Sequence, residues 1–140
     1  PVARYAFLGY FASHIPITML IDAQAAIDHR YFPEPAQALL DWHIRVNGDF
    51  LMGAPPLWFQ SVVWGEICLQ LPFFFVAVKA LYDRDEVAFR IPFIIYGAHT
   101  ATTMIPIFGE ICGSAAPTRL ALIYLPYLLF PLGGVVLFSV

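Results

Sequence analysis

Three carboxylates stand within or beside long apolar stretches of the sequence, where an ionised side chain is expensive. Asp22 ends the run HIPITMLIDAQ, Glu66 lies inside the run 56–78, and Asp49 shortly precedes that run. An ionised side chain that faces lipid costs about 3 to more than 10 kcal/mol, so residues of this kind usually mark a functional site. These acids are therefore the first candidates for binding or catalysis.

Asp22 and Asp49 are expected on the same side of a membrane, because the segment that connects them returns to the side on which it starts. Two neighbouring carboxyls repel each other when both are ionised, so one should hold a proton and hydrogen-bond the other. Such a pair would carry one net negative charge. An alternative places Asp22 at the level of the lipid headgroups, where it faces water.

Polar residues recur at helical spacing in each apolar stretch and predict one polar face per helix, because positions i, i+3 and i+4 are neighbours. The four sets are His14, Thr18 and Asp22; Glu66 and Gln70; Tyr96, His99, Thr100 and Thr103; Tyr124 and Tyr127. Turned inward, these faces would line a pocket. Alternatively they join helices through hydrogen bonds worth about 0.6 kcal/mol each.

A buried negative charge among aromatic rings favours a ligand with a cationic or strongly polar head on an apolar body. The rings would come from Trp42, Tyr96, Tyr124 and Tyr127. The expected partners are therefore cationic amphiphilic amines and sterols, together with the lipid bilayer.

The composition places these residues in a membrane protein. The 140 residues are 60% hydrophobic and 12% charged, which is too apolar for an ordinary soluble domain. Charge-poor stretches cover 5–21, 56–78, 91–109 and 120–140, and each has about the 20 residues that a helix needs to cross a bilayer. The predicted fold class is all-α, a polytopic membrane protein with a four-transmembrane-helix bundle, in a single domain over residues 1–140.

Prolines in these spans predict kinked helices around an intramembrane pocket, because each proline removes a backbone donor and frees a carbonyl. They are Pro16, Pro72, Pro106, Pro126 and Pro131. Between the first two spans, QALLDWHIRV predicts an amphipathic helix that lies at the membrane interface or caps the bundle. The following Asn47-Gly48-Asp49 predicts the end of that helix.

Charge and cysteine content narrow the function classes. A net charge of −3 gives no indication of a nucleic-acid partner, and the two cysteines define no disulfide framework. His14, Asp22, Glu66 and His99 lack the local spacing of metal ligands, so neither a metal nor a cofactor is expected.

Five motifs resemble, in order and spacing, the sigma-2 receptor branch of the EXPERA family, which also contains a sterol Δ8-Δ7 isomerase, the emopamil-binding protein. They are HIPITMLIDAQA, APPLWFQS, GEICLQLPFF, IPFIIYGAHTATTMIPI and IYLPYLLFP, and together they cover nearly the whole chain. The resemblance implies a homodimeric four-helix protein of the endoplasmic reticulum membrane. It also implies a pocket that opens toward lipid, binds cationic amphiphiles and sterols, and serves cholesterol homeostasis or trafficking.

The resemblance also assigns site residues. The family's amine-pairing aspartate falls on Asp22 and its partner on Asp49, and the glutamate and glutamine of its second span fall on Glu66 and Gln70. The implied pocket-wall positions are Trp42, Met52, Tyr96, Thr103, Tyr124 and Tyr127. His14 joins this ligand-binding set because it shares the polar face of Asp22.

Three function classes stay open. The main hypothesis is a binding protein without enzymatic activity, and no catalytic residue is assigned. A sterol isomerase would need an acid-base pair over the sterol rings, and the resemblance places the isomerase branch's histidine where this chain has Val62. His14 and His99 could still carry protons. The third hypothesis is a structural adaptor for a sterol transporter that makes no use of its pocket.

Overall fold

A computed structural model describes residues 2–85, 87–115 and 117–139. The described chain is helical, without strands. The α-helices are α1 Val2–Leu20, α2 Glu34–Asn47, α3 Phe50–Gly53, α4 Leu57–Gly65, α5 Leu71–Asp83, α6 Arg90–Cys112, α7 Pro117–Tyr124 and α8 Pro126–Ser139. Two short 3₁₀-helices, Asp22–Ala25 and His29–Tyr31, follow α1, and a π-helix, Glu66–Gln70, joins α4 to α5. The predicted all-α class is confirmed.

Up to four segments are long and apolar enough to cross a membrane. Three are single spans, Val2–Ala25, Leu57–Asp83 and Arg90–Cys112, and the fourth is the pair α7 and α8, bent by 40°. The bend lies at Leu125, because the ring of Pro126 disfavours a helical backbone at the residue before it. The chain is a multi-pass membrane protein, as its composition predicts.

The chain divides into two compact units. Unit 1 comprises Pro1–Ala12 and Phe73–Val140, and unit 2 comprises Ser13–Pro72. The prediction of a single domain over the whole chain stays a prediction.

Unit 1 is built on close packing of α6 against α8. The helices approach most tightly at Gly97, where an added Cβ would lie 2.6 Å from the carbonyl oxygen of Pro131. Stacked rings fill the space around this contact, with Phe93 and Phe138 centroids 4.5 Å apart and Tyr10 and Phe130 centroids 4.7 Å apart. Ring packing of this kind adds to the stability that burial alone provides.

Unit 2 contains the helix predicted between the first two spans. That helix, α2, buries Leu40 and leaves Leu39, Trp42 and Val46 exposed along one side. The predicted end of α2 is confirmed, because Gly48 follows Asn47 with a left-handed φ of 66°. An exposed apolar stripe suits a helix at the lipid interface, although that location stays a prediction.

Candidate functional site

The polar centre of unit 2 is an acid cluster formed by Asp22, Asp49 and Glu66. Asp22 and Glu66 are hydrogen-bonded to each other through their carboxyl groups. Such a bond requires a proton on one of the two groups, since an ionised carboxylate only accepts. The hydroxyl of Thr18 donates a further hydrogen bond of 2.5 Å to Glu66 Oε1. The Asp22 and Glu66 pair therefore holds at least one proton and carries at most one negative charge.

This pairing differs from the expected one, in which Asp22 shares a proton with Asp49. Asp49 is almost fully buried and caps α3, where its Oδ1 accepts the backbone N–H of Met52. Its Oδ2 lies 2.9 Å from Nε2 of His43. Asp49 acts on Asp22 as a neighbouring like charge, while Glu66 supplies the hydrogen bond. The correction concerns the partner of Asp22, and the three acids do form one cluster.

The 3₁₀-helix Asp22–Ala25 places Asp22 beside the other acids. This turn packs against both α3 and α4. The side-chain amide of Gln24 donates to the carbonyls of Leu20 and Ala36, which ties the turn to α1 and to α2. Asp22 itself is half-buried. It is therefore not fully exposed, as the alternative placement at the headgroup level would require.

The π-helix Glu66–Gln70 positions Glu66, the acid that pairs with Asp22. The N–H of Leu71 bonds the carbonyl of Glu66, five residues earlier, and Pro72 next in sequence has no N–H to offer. The prediction that Glu66 and Gln70 lie one α-helical turn apart is therefore wrong, because these residues form a π-helix, which has more residues per turn. The proline was the available sequence signal, and π-helical turns are frequent at functional sites.

His43 and Asn47 extend the cluster toward the surface, and neither was among the predicted site residues. Asn47 Nδ2 lies 3.0 Å from His43 Nδ1. The signal lay in WHIRVNGD, where His43 and Asn47 are four residues apart on a helix that ends two residues before Asp49. Gly48 reverses the chain and brings Asp49 back toward the ring of His43.

The remaining predicted site residues of unit 2 differ in exposure. His14, Gln70 and Met52 are buried, each with less than a tenth of its surface exposed. Trp42 is 49% exposed on the apolar stripe of α2. Its predicted role as a pocket wall stays a prediction.

The predicted residues of the third and fourth spans belong to unit 1. Tyr96 is buried, its hydroxyl 3.3 Å from that of Tyr10, and it borders a narrow apolar crevice. Thr103 donates to the carbonyl of Thr100, within its own helix. Tyr124 and Tyr127 are half-buried neighbours with centroids 6.1 Å apart.

The charge of the acid pair is not offset by lysine or arginine in the described residues. In the ranges that the structure describes, no lysine or arginine pairs with Asp22 or Glu66, and the pairs that do form, Arg30 with Asp28 and Lys79 with Asp83, are exposed. A charge in apolar surroundings is costly unless it is paired, so a cation from outside the chain would stabilise the cluster.

Comparison with known protein families identifies the family of this chain. The family model described as EBP: EXPERA (EXPanded EBP superfamily) matches residues 35–137. This chain belongs to the EXPERA family. The family resemblance inferred from the motifs is thereby confirmed.

Curated relatives of this EXPERA protein include two receptors of the same name. Sigma intracellular receptor 2 of Xenopus tropicalis is 43% identical over 141 residues, covering 91% of this chain and 82% of the relative. Sigma intracellular receptor 2 of Homo sapiens is 38% identical over 138 residues, covering 87% and 78%. Efficient mitochondria targeting-associated protein 19 of Saccharomyces cerevisiae is 36% identical over 80 residues, covering 57% and 50%.

Proposed function

We propose that this EXPERA protein binds cationic amphiphilic amines and sterols within the membrane. The observation that carries the proposal is the hydrogen-bonded carboxyl pair of Asp22 and Glu66, with which no described lysine or arginine forms an ion pair. The family relationship to proteins named Sigma intracellular receptor 2 supports a receptor that binds a ligand.

A protonated amine would donate a charge-assisted hydrogen bond to this pair, and such bonds are about twice as strong as neutral ones. Its hydrocarbon body would remain in the apolar surroundings of the spans. A sterol hydroxyl could donate to the same carboxylate, while its ring system needs only apolar contact. One site would thus accept both ligand classes through the same acceptor atoms.

The cellular setting belongs to the same proposal. We propose a homodimer in the endoplasmic reticulum membrane that contributes to cholesterol homeostasis or trafficking, with a sterol transporter as a further partner. The word intracellular in the name of the relatives supports an internal membrane.

Equilibrium binding to the full chain in lipid nanodiscs tests the amine site. The probe is radiolabelled phenylbutylpiperidine, a hydrophobic tertiary amine, and its neutral amide analogue is the ligand control. Asp22→Asn and Glu66→Gln should each weaken amine binding by at least about tenfold, because each replaces one acid of the pair with a neutral amide and disrupts the shared proton and charge. Asp28→Asn, at an exposed acid outside the cluster, should leave amine binding unchanged.

Two results would contradict the amine proposal. One is equal affinity of wild type and Asp22→Asn for phenylbutylpiperidine. The other is equal affinity of wild type for the amine and for its neutral amide, since the acid cluster would then contribute nothing.

Competition tests whether sterols share this site. A photoreactive cholesterol analogue should label the wild-type protein in nanodiscs, and excess phenylbutylpiperidine should suppress the labelling. Labelling that persists at saturating amine would show that the two ligands occupy separate places.

A sterol Δ8-Δ7 isomerase is the second candidate, favoured by the shared proton. A carboxyl and a carboxylate in contact offer an acid and a base at one point, and the isomerisation protonates one alkene carbon and removes a proton from another. Val62, one turn before Glu66, adds no proton-transfer group. Conversion of a Δ8 sterol by purified protein, lost in Glu66→Gln, would establish catalysis. Absence of the Δ7 product from protein that binds the amine would exclude it.

A further inference from the structure

We propose that His43 is a positioning residue for this ligand site. Its neutral imidazole orients the Asp49 carboxylate and leaves the negative charge of that carboxylate uncompensated. The inference rests on the proposed amine binding and adds a residue that the family comparison does not assign. It follows from the hydrogen bonds around the ring and from the burial of Asp49.

The hydrogen bonds define the tautomer of His43. Carboxylate Oδ2 of Asp49 can only accept, so Nε2 of His43, 2.9 Å away, carries the ring proton and donates it. In a neutral imidazole the other nitrogen is then an acceptor. This role fits the contact of 3.0 Å from the Asn47 amide nitrogen to Nδ1, in which the amide donates. Asn47 therefore donates to His43, and His43 in turn donates to Asp49.

Both oxygens of Asp49 are held. Oδ1 accepts from the backbone of Met52 and Oδ2 from His43, while the side chain of Asp49 is only 1% exposed. Among these contacts, His43 supplies a side-chain donor that a substitution can remove while the backbone N–H of Met52 remains. Because Asp49 acts on Asp22 through charge, His43 influences the amine site through Asp49.

Protonation of His43 would leave the Nε2–H bond to Asp49 in place but would change the contact at Nδ1 and the charge of the ring. Nδ1 would then carry a proton that faces the amide N–H of Asn47, so this hydrogen bond would be lost in the present orientation and the amide would have to turn its oxygen toward the ring. The new imidazolium would offset the charge of Asp49 across the same 2.9 Å contact. The acid cluster would then attract a cation less strongly, so amine affinity should fall on acidification.

The ring is reached by protons from solvent, because the side chain of His43 is 24% exposed. The charged groups near it are few. Asp49 approaches from the start of α3, which packs against α2, and Asp22 and Glu66 lie beyond Asp49 in the cluster. On its own helix, Asp41 and Arg45 are exposed.

The test measures binding against pH with a probe of constant charge, N-methylated quaternary phenylbutylpiperidinium, on the full chain in nanodiscs. In wild type, affinity should fall about tenfold between about pH 8 and about pH 5, where an imidazole changes charge. His43→Gln keeps an N–H donor for Asp49 but takes up no proton. Its affinity should match wild type at about pH 8 and fall clearly less at about pH 5.

Two further variants separate positioning from folding. His43→Leu removes the donor and should weaken probe binding about tenfold even at about pH 8. Asn47→Leu removes the amide that opposes protonation of Nδ1, so its loss of affinity should begin at higher pH than in wild type. His29→Gln changes an exposed histidine outside this network and should keep the wild-type profile.

The outcomes are distinguishable from those of the proposed function. If His43→Gln and Asn47→Leu both keep the wild-type pH profile, while Asp22→Asn still abolishes binding, His43 has no positioning role and the amine site stands. If wild type does not bind the quaternary probe at about pH 8, the amine site fails and this inference fails with it.

Discussion

The hydroxyl of Thr18 donates to Glu66 across 2.5 Å, and this bond joins the last turn of α1 to the π-helix of the second span. Thr18 is fully buried. Glu66 also hydrogen-bonds Asp22, so Thr18 and Asp22 are both partners of this carboxyl group.

Removal of this donor should destabilise the protein. Thr18→Val keeps the shape of the side chain but leaves a partly buried carboxyl oxygen without this partner, at a cost of about 1 to 3 kcal/mol. The expected result is a lower thermal unfolding midpoint in detergent micelles. Thr18→Ser retains the hydroxyl, so its unfolding midpoint should fall less than that of Thr18→Val. Thr102→Val is the matched control, since Thr102 is exposed and bonds only its own helix at Ala98; an equal loss there would contradict the argument.

Replacement of Gly97 should disrupt unit 1. In Gly97→Ala the added Cβ would lie 2.6 Å from both the carbonyl oxygen of Pro131 and Cγ2 of Val135. Backbone cannot yield like the end of a side chain, so α6 and α8 must separate, at a cost of about 1 to 3 kcal/mol. Thermal unfolding measures the loss. Gly133→Ala, where the Cβ meets nothing within 4 Å, should unfold like wild type.

Substitution of Gly48 should destabilise the protein for a different reason, the left-handed backbone conformation of this residue. Its φ of 66° costs a side-chain-bearing residue about 1 to 2 kcal/mol, although an added Cβ would meet no neighbour. Gly48→Ala should therefore lower the unfolding midpoint, and Gly48→Asn should recover much of it, since asparagine tolerates this conformation. Gly65→Ala, at a helical φ of −60°, is the control. A Gly48→Ala protein as stable as that control would refute the conformational argument.

Acidification should remove the small contribution that the Asp28–Arg30 ion pair makes to the stability of the folded state. The Arg30 side chain, hydrogen-bonded to this carboxyl, lowers the pKa of Asp28 from 3.8 to about 2. A lowered pKa in the folded state means stability that is present above about pH 4 and is lost as the pH falls toward 2. Unfolding midpoints of wild type and Asp28→Asn should therefore differ slightly at neutral pH and converge near pH 2. A difference that persists at that pH would point to a cause other than ionisation.

Several features of the fold follow from the sequence because their causes are local. Length and hydropathy of an apolar run predict a span, the pattern in QALLDWHIRV predicts α2, and Gly48 predicts its end. The π-helix was missed, since its hydrogen bonds depend on how α4 meets α5 near Pro72 rather than on residue spacing alone.

The sequence by itself determined that this is a polytopic helical membrane protein and that Asp22, Asp49 and Glu66 are its candidate site acids. Only the tertiary structure decided that Asp22 pairs with Glu66 and that His43 holds Asp49. The physical reason is distance along the chain. Periodicity shows which face of its own helix a residue occupies, whereas the meeting of two acids depends on the packing of the 3₁₀-helix Asp22–Ala25 against α3 and α4.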